Sequence, residues 1–203
     1  MTKNILAVAF LAVAFASCSN DDDNTTAEPI QTETVSNLYA PQTGGQGEAV
    51  GGEFAKFAIT TSDTDWDIAF RGTTIAINGG AETGTADESV RNGDAGVAIV
   101  TGTLASVTTA DGLSFNQDAD AAFAIPTGSD NGWYNYAGPP SHVITPIPGK
   151  IFVIRTTEGN YAKVEIISYY ENAPAEPDAF ADATPYFTFN YVYNPNIGET
   201  SFE

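Results

Sequence analysis

The residue best suited to chemistry is His142, the chain's one histidine. It stands in Gly138-Pro139-Pro140-Ser141-His142-Val143. Proline cannot donate to a sheet ladder, so two prolines make this a loop or edge segment from which an imidazole can project. Such an imidazole can carry a proton near neutrality or ligate a metal. Tyr134 and Tyr136 lie just upstream, and their spacing of two puts both rings on one face of a short strand. They can offer a phenol oxygen or a flat ring to a ligand, or simply pack. Cys18 is the one cysteine, so no internal disulfide forms. One Cys and one His also rule out a structural Cys/His zinc site.

Other chemistries find no pattern. A Ser-His-Asp triad would have to use His142, and no G-x-S-x-G elbow occurs. Gly44-Gly45-Gln46-Gly47 and Gly51-Gly52 match neither a dinucleotide fingerprint nor a phosphate-binding loop. Asp63-Thr64-Asp65-Trp66-Asp67 opens like a calcium loop, but Ile68 replaces its glycine and Thr74 its closing glutamate. Asn116, Asp118 and Asp120 are equally unspecific, and nothing selects a carboxylate pair for glycoside cleavage. The expectation is a binding protein rather than an enzyme. The net charge of −19, from 7 Lys+Arg against 26 Asp+Glu, repels phosphate backbones and excludes nucleic-acid binding.

The elements that must carry these residues read as strands. Trp66-Asp67-Ile68-Ala69-Phe70 alternates, with Trp66, Ile68 and Phe70 expected on one face. Ile75 and Ile77 continue the pattern up to an Asn78-Gly79-Gly80 turn. Residues 53–60 and 96–100 read as strands, 121–125 as a further short strand, and 87–91 as a brief helix. Residues 151–155 are apolar on both faces, as a central strand requires. Glu158-Gly159-Asn160 turns the chain into residues 161–170. Residues 185–193 follow, with Phe187, Phe189, Tyr191 and Tyr193 sharing a face opposite Tyr186. The period is two almost throughout, so the expected fold is all-β with mostly antiparallel sheets, a single domain over residues 38–203.

The N-terminus reads as an address. Lys3 precedes an unbroken apolar run over residues 5–15, too short for a spanning helix, which needs about 20 residues. The run ends in Phe15-Ala16-Ser17-Cys18, which resembles a bacterial lipobox with Phe15 in the usual leucine position. That resemblance implies a signal peptide over residues 1–17, cleavage before Cys18 and acylation of Cys18. Losing Lys3 would take the net charge to −20. Asp21-Asp22-Asp23 after the cysteine resembles a surface-export signal of Gram-negative lipoproteins, and residues 18–37 are expected to form a polar tether.

Several blocks together resemble the HmuY family. They are Trp66-Asp67-Ile68-Ala69-Phe70-Arg71 with Ile77-Asn78-Gly79-Gly80, then Gly132-Trp133-Tyr134-Asn135-Tyr136 and Pro146-Ile147-Pro148-Gly149-Lys150. Val153-Ile154-Arg155-Thr156, Tyr161-Ala162-Lys163-Val164-Glu165-Ile166, Ser168-Tyr169-Tyr170 and the run from Tyr186 to Tyr193 complete the pattern. The resemblance implies an antiparallel β fold on an outer-membrane surface lipoprotein that captures haem and cooperates with a TonB-dependent receptor in iron acquisition. In the family the iron sits between two histidines or two methionines. This chain has one histidine, and its one methionine is Met1, so neither pair can form within a mature chain. His142 is the candidate iron ligand, with Tyr136 or Tyr134 as second ligand or stacking ring, since haem iron accepts both His and Tyr. Two alternatives stand beside it. His142 can be a surface histidine held by local hydrogen bonds, and the scaffold can bind another small ligand, a glycan or a protein.

Overall fold

The longest apolar alternation, in the C-terminal part of the chain, becomes strand β10 (Tyr186–Asn194), and the rest of the fold assembles on it. The computed structural model describes residues 27–45, 47–59 and 66–203. The expected signal peptide, Cys18, the start of the tether and Asp63-Thr64-Asp65 lie outside the described residues. The architecture is all-β, and no helix occurs among the described residues.

The main sheet is antiparallel throughout, with β10 between β1 (Gln31–Tyr39) and β9 (Tyr161–Ser168), followed by β8 (Lys150–Arg155) and β5 (Gly96–Thr101). A second sheet joins β2 (Ala55–Phe57), β3 (Ile68–Arg71) and β4 (Thr74–Ile77). A two-stranded hairpin pairs β6 (Tyr134–Tyr136) with β7 (Ile144–Pro146). Phe187, Phe189, Tyr191 and Tyr193 share one core, as their spacing predicts. Phe70 of β3 lies 4.7 Å from Phe187 and 5.4 Å from Phe189, and Phe57 of β2 meets Phe189 edge-on at 5.2 Å. The β6–β7 hairpin closes the same face through Trp133, 5.0 Å from Phe187. Ile151 and Val153 point the other way, into a second core with Val107, Ala110 and Phe202. Strand β8 is therefore apolar on both faces because both faces are covered.

Four expectations need correction. Residues 31–37, read as tether, form most of β1, because pairing with β10 satisfies their backbone although their side chains are largely exposed. Trp66 lies with Phe54, Ala69 and Ala76, across the sheet from Ile68 and Phe70. A bend at Asp67 breaks the alternation: its buried carboxylate accepts the N–H groups of Ile59 at 2.8 Å and Thr157 at 2.7 Å. Residues 121–125 form no strand, only a bridge between Ala119 and Ala122. Residues 87–91 form no helix: Asp87 takes φ +55°, outside the helical region, and Glu88 and Arg91 enter a buried ionic knot.

In that knot Arg91 donates to Glu88 and Asp118, each at 2.9 Å, with all three side chains almost wholly buried. Asp118 also accepts the N–H groups of Ile77 at 3.0 Å and Ala124 at 2.8 Å, tying β4 to two loops. Burial pushes the Asp118 carboxyl up, against the pull of those N–H groups and Arg91. Burial also pushes Glu88 up, but hydrogen bonds from Thr83 and Thr85 outweigh it and hold the carboxyl down at about 2. A carboxyl depressed by folding stabilises the native state above its unfolded value of 4.5 and loses that contribution as pH falls toward about 2. Denaturation midpoints measured across this window are expected to fall in the native protein and to fall less steeply in Glu88→Gln, which starts lower at neutral pH.

Candidate functional site

The β6–β7 hairpin carries the candidate residues at its tip. Tyr134 pairs with Pro146 and Tyr136 with Ile144, and the ladder ends where Ala137 donates to the Val143 carbonyl at 2.9 Å. The chain reverses through Gly138 at φ +68° and His142 at φ +55°, with the His142 N–H on the Gly138 carbonyl at 2.8 Å. A histidine in the left-handed region is uncommon, and here it lies half-buried in the turn that closes the hairpin. The Tyr170 hydroxyl accepts the Ile144 N–H at 2.9 Å, which fixes the hairpin to the end of β9.

The two tyrosines part company. Tyr134 is buried against Trp133, ring centroids 4.9 Å apart, and Trp133 is itself pinned by its indole N–H on the Thr73 carbonyl at 2.8 Å. Tyr136, two residues on, is 43% exposed because the hairpin overhangs the edge of the core. Its hydroxyl hydrogen-bonds His142 Nδ1, and its N–H donates to Ser129 Oγ at 2.8 Å. Of the three expected residues, Tyr136 and His142 come together at the surface and Tyr134 goes into the core.

A third aromatic was not anticipated. Phe180, 76% exposed, meets the His142 ring edge-on at 5.7 Å. It rides on loop 171–185, in a turn capped by Asp178 Oδ1 accepting the Phe180 N–H at 2.9 Å. The loop is moored at its start, where Asn172 and Asn37 exchange two hydrogen bonds of 2.7 and 3.0 Å. The available signal was a lone phenylalanine amid polar and small residues, with no alternation to bury it.

The donor chemistry suits one metal bond. When histidine ligates through Nε2, Nδ1 carries the proton and an oxygen partner orients the ring. The Tyr136 hydroxyl occupies that second position. Bracing Nδ1, Tyr136 would orient the imidazole toward a metal rather than bond the metal itself. Tyr134 is equally unavailable while its ring stays in the core. Tyr136 and Phe180 offer apolar surface beside the imidazole, which fits a flat, hydrophobic ligand. No cluster of three or more His, Cys, Asp or Glu able to hold a bare metal ion occurs among the described residues. Among the described residues, open grooves lie elsewhere, and one of about 920 Å³ runs between residues 27–30 and the C-terminal segment. One of about 670 Å³ lies at Thr83, Phe123 and Thr127, and one of about 420 Å³ at Phe54, Asp87 and Val90. Neither His142 nor Tyr136 lines any of the three.

The family model described as HmuY protein matches residues 22–191. No curated protein matches the chain. Among solved structures, the apo form of a Tannerella forsythia HmuY analogue aligns with TM-score 0.46 and 11% identity, over 84% of this chain and 100% of that one. A Bacteroides vulgatus protein described as HmuY-like and heme-binding aligns with TM-score 0.42 and 14% identity, over 83% and 93%. A Bacteroides fragilis protein described as a lipoprotein gives TM-score 0.37 and 15% identity, over 82% and 92%.

The divided fates of the tyrosines are measurable. Tyr134→Ala is expected to cost about 3–5 kcal/mol in urea denaturation, the range for emptying a buried aromatic site, and Tyr136→Ala less than about 1 kcal/mol.

Proposed function

Because the chain belongs to the HmuY family, we propose that it is a haem-binding surface lipoprotein of the outer membrane that serves iron acquisition with a TonB-dependent receptor. The observation that carries this reading is the trio at the hairpin tip. His142 is braced at Nδ1 by Tyr136 and flanked by the exposed ring of Phe180. The imidazole would supply one ligand to the iron, Tyr136 would fix its tautomer and direction, and Phe180 would offer an apolar ring beside it. The anchor is the acylated Cys18, followed by an acidic stretch that keeps the domain clear of the lipid.

A second reading has its own support. The open grooves lie away from His142, as they would if the scaffold bound a different small ligand, a glycan or a protein and His142 were a surface residue.

Haemin titration separates the two. The first reading expects a shifted Soret band, abolished in His142→Ala and weakened about 10–100-fold in Tyr136→Phe, the usual effect of removing an orienting partner. A spectrum that stays that of free haemin rejects it in favour of the second. The anchor has a separate test: Cys18→Ser is expected to move the protein from the membrane fraction to the soluble fraction, and retention in the membrane would refute acylation there.

A further inference from the structure

One exposed aromatic ring on a protein surface needs no explanation, but several held together do. Among the described residues three aromatic side chains are exposed: Tyr39, Tyr136 and Phe180. All three stand at one end of the molecule. Tyr39 closes β1 opposite Tyr186, the first residue of β10. Loop 171–185 leads into Tyr186, and its Asn172 is bonded to Asn37, two residues before Tyr39. Phe180 on the same loop reaches His142, which Tyr136 braces. Each ring is fixed in place. Tyr39 stacks on Tyr186 at 4.8 Å, Tyr136 is bonded at its hydroxyl and its N–H, and Phe180 lies on the turn that Asp178 caps. Rings already held in one position lose little freedom when a partner covers them.

The segments that carry these rings are acidic. Asp130, Glu171, Glu176 and Asp178 are exposed on them, and Asp182 is half-buried. The cations bordering them are Lys150, at the foot of the hairpin, and Lys163, buried on the other side of the main sheet on the Val107 carbonyl at 2.8 Å. The uncharged donors here are largely committed to the fold. Asn37 and Asn172 bond each other, Asn135 and the Ser129 hydroxyl donate to Asp130, and Asn131 donates to the Thr127 carbonyl at 3.3 Å. A sugar or small anion recognised by hydrogen bonds therefore finds few free donors. A protein surface is recognised differently, by apolar anchors inside a polar rim. The carboxylates repel an anionic lipid, a nucleic acid and a second copy of the same face, and attract a basic surface.

We propose that this end of the molecule is a protein-docking face, with Phe180 and Tyr136 as apolar anchors and Tyr39 at its margin, for a partner that presents an apolar patch ringed by Lys and Arg. The carboxylates steer that partner and set its register, while the rings supply most of the affinity. Docking needs no iron, so it goes beyond the haem reading and stands or falls apart from it.

The test uses the full-length chain without haemin and synthetic peptides of equal length as probes: a Lys/Leu amphipathic peptide, a Lys/Ser peptide of the same charge and a Glu/Leu peptide of opposite charge. Binding is followed by fluorescence anisotropy at about 50 and about 300 mM NaCl. The Lys/Leu peptide is expected to bind more tightly than the other two and to weaken at the higher salt. Phe180→Ser is expected to cost it at least about tenfold in affinity, the effect of removing an anchor. Phe180 is exposed, so this variant is expected to keep the native denaturation midpoint. Ile197, equally open to solvent beyond the other end of β10, supplies the control: Ile197→Ser is expected to leave binding unchanged. No binding of the Lys/Leu peptide, equal binding of the Lys/Ser peptide, or equal losses in the two variants overturns the proposal. Pelleting with phosphatidylglycerol vesicles, or self-association in sedimentation equilibrium, that Phe180→Ser abolishes would make the occupant a lipid or a second copy and overturn it as well. A Soret band unmoved by haemin changes none of these outcomes, so the two readings fail separately.

Discussion

The aromatic seam along β10 is the contact on which the rest of the molecule depends. Phe187 and Phe189 are completely buried, and each is met by Phe70, also completely buried. Through these rings the second sheet and the β6–β7 hairpin are laid against one face of the main sheet. Emptying such a site costs about 3–5 kcal/mol, a large part of a domain's net stability. The hairpin has only three residues in each strand and no independent core, so its position is borrowed from Trp133 packing on this seam. The direction in which His142 projects is thus fixed by rings far from it in sequence.

A second constraint acts through charge. The fold encloses Arg71, Arg91 and Lys163 against carbonyls, carboxylates and a hydroxyl, with Arg71 Nε left without a partner among the described residues. Burying a paired cation adds little net stability, but removing one partner leaves the other charge stranded, so these contacts hold loops in one arrangement. The arrangement also takes cations from the surface. An acidic composition becomes a still more acidic exterior.

The site itself is economical in donors. One imidazole, one phenol and one exposed phenyl ring meet where two loops converge, and the phenol is placed to orient the imidazole rather than to oppose it across a metal. The chain belongs to the HmuY family and carries a single histidine on that scaffold.

The sequence by itself determined the period-two core, the all-β class and the pairs of faces on β8 and β10, because alternation and burial are local consequences of side-chain direction. It also singled out His142 and Tyr136, through the rarity of one and the nearness of the other. Only the tertiary structure decided that residues 31–37 join the sheet, since most of their polar side chains stay exposed and their partners on β10 lie more than 150 residues away. It alone sent Tyr134 inward and Tyr136 outward from equivalent positions, because where the core ends is set by Trp133 and Phe187 rather than by the strand. It alone brought Phe180 to His142, across 38 residues of chain, because contacts between loops depend on how distant strands stack and leave no period in the sequence.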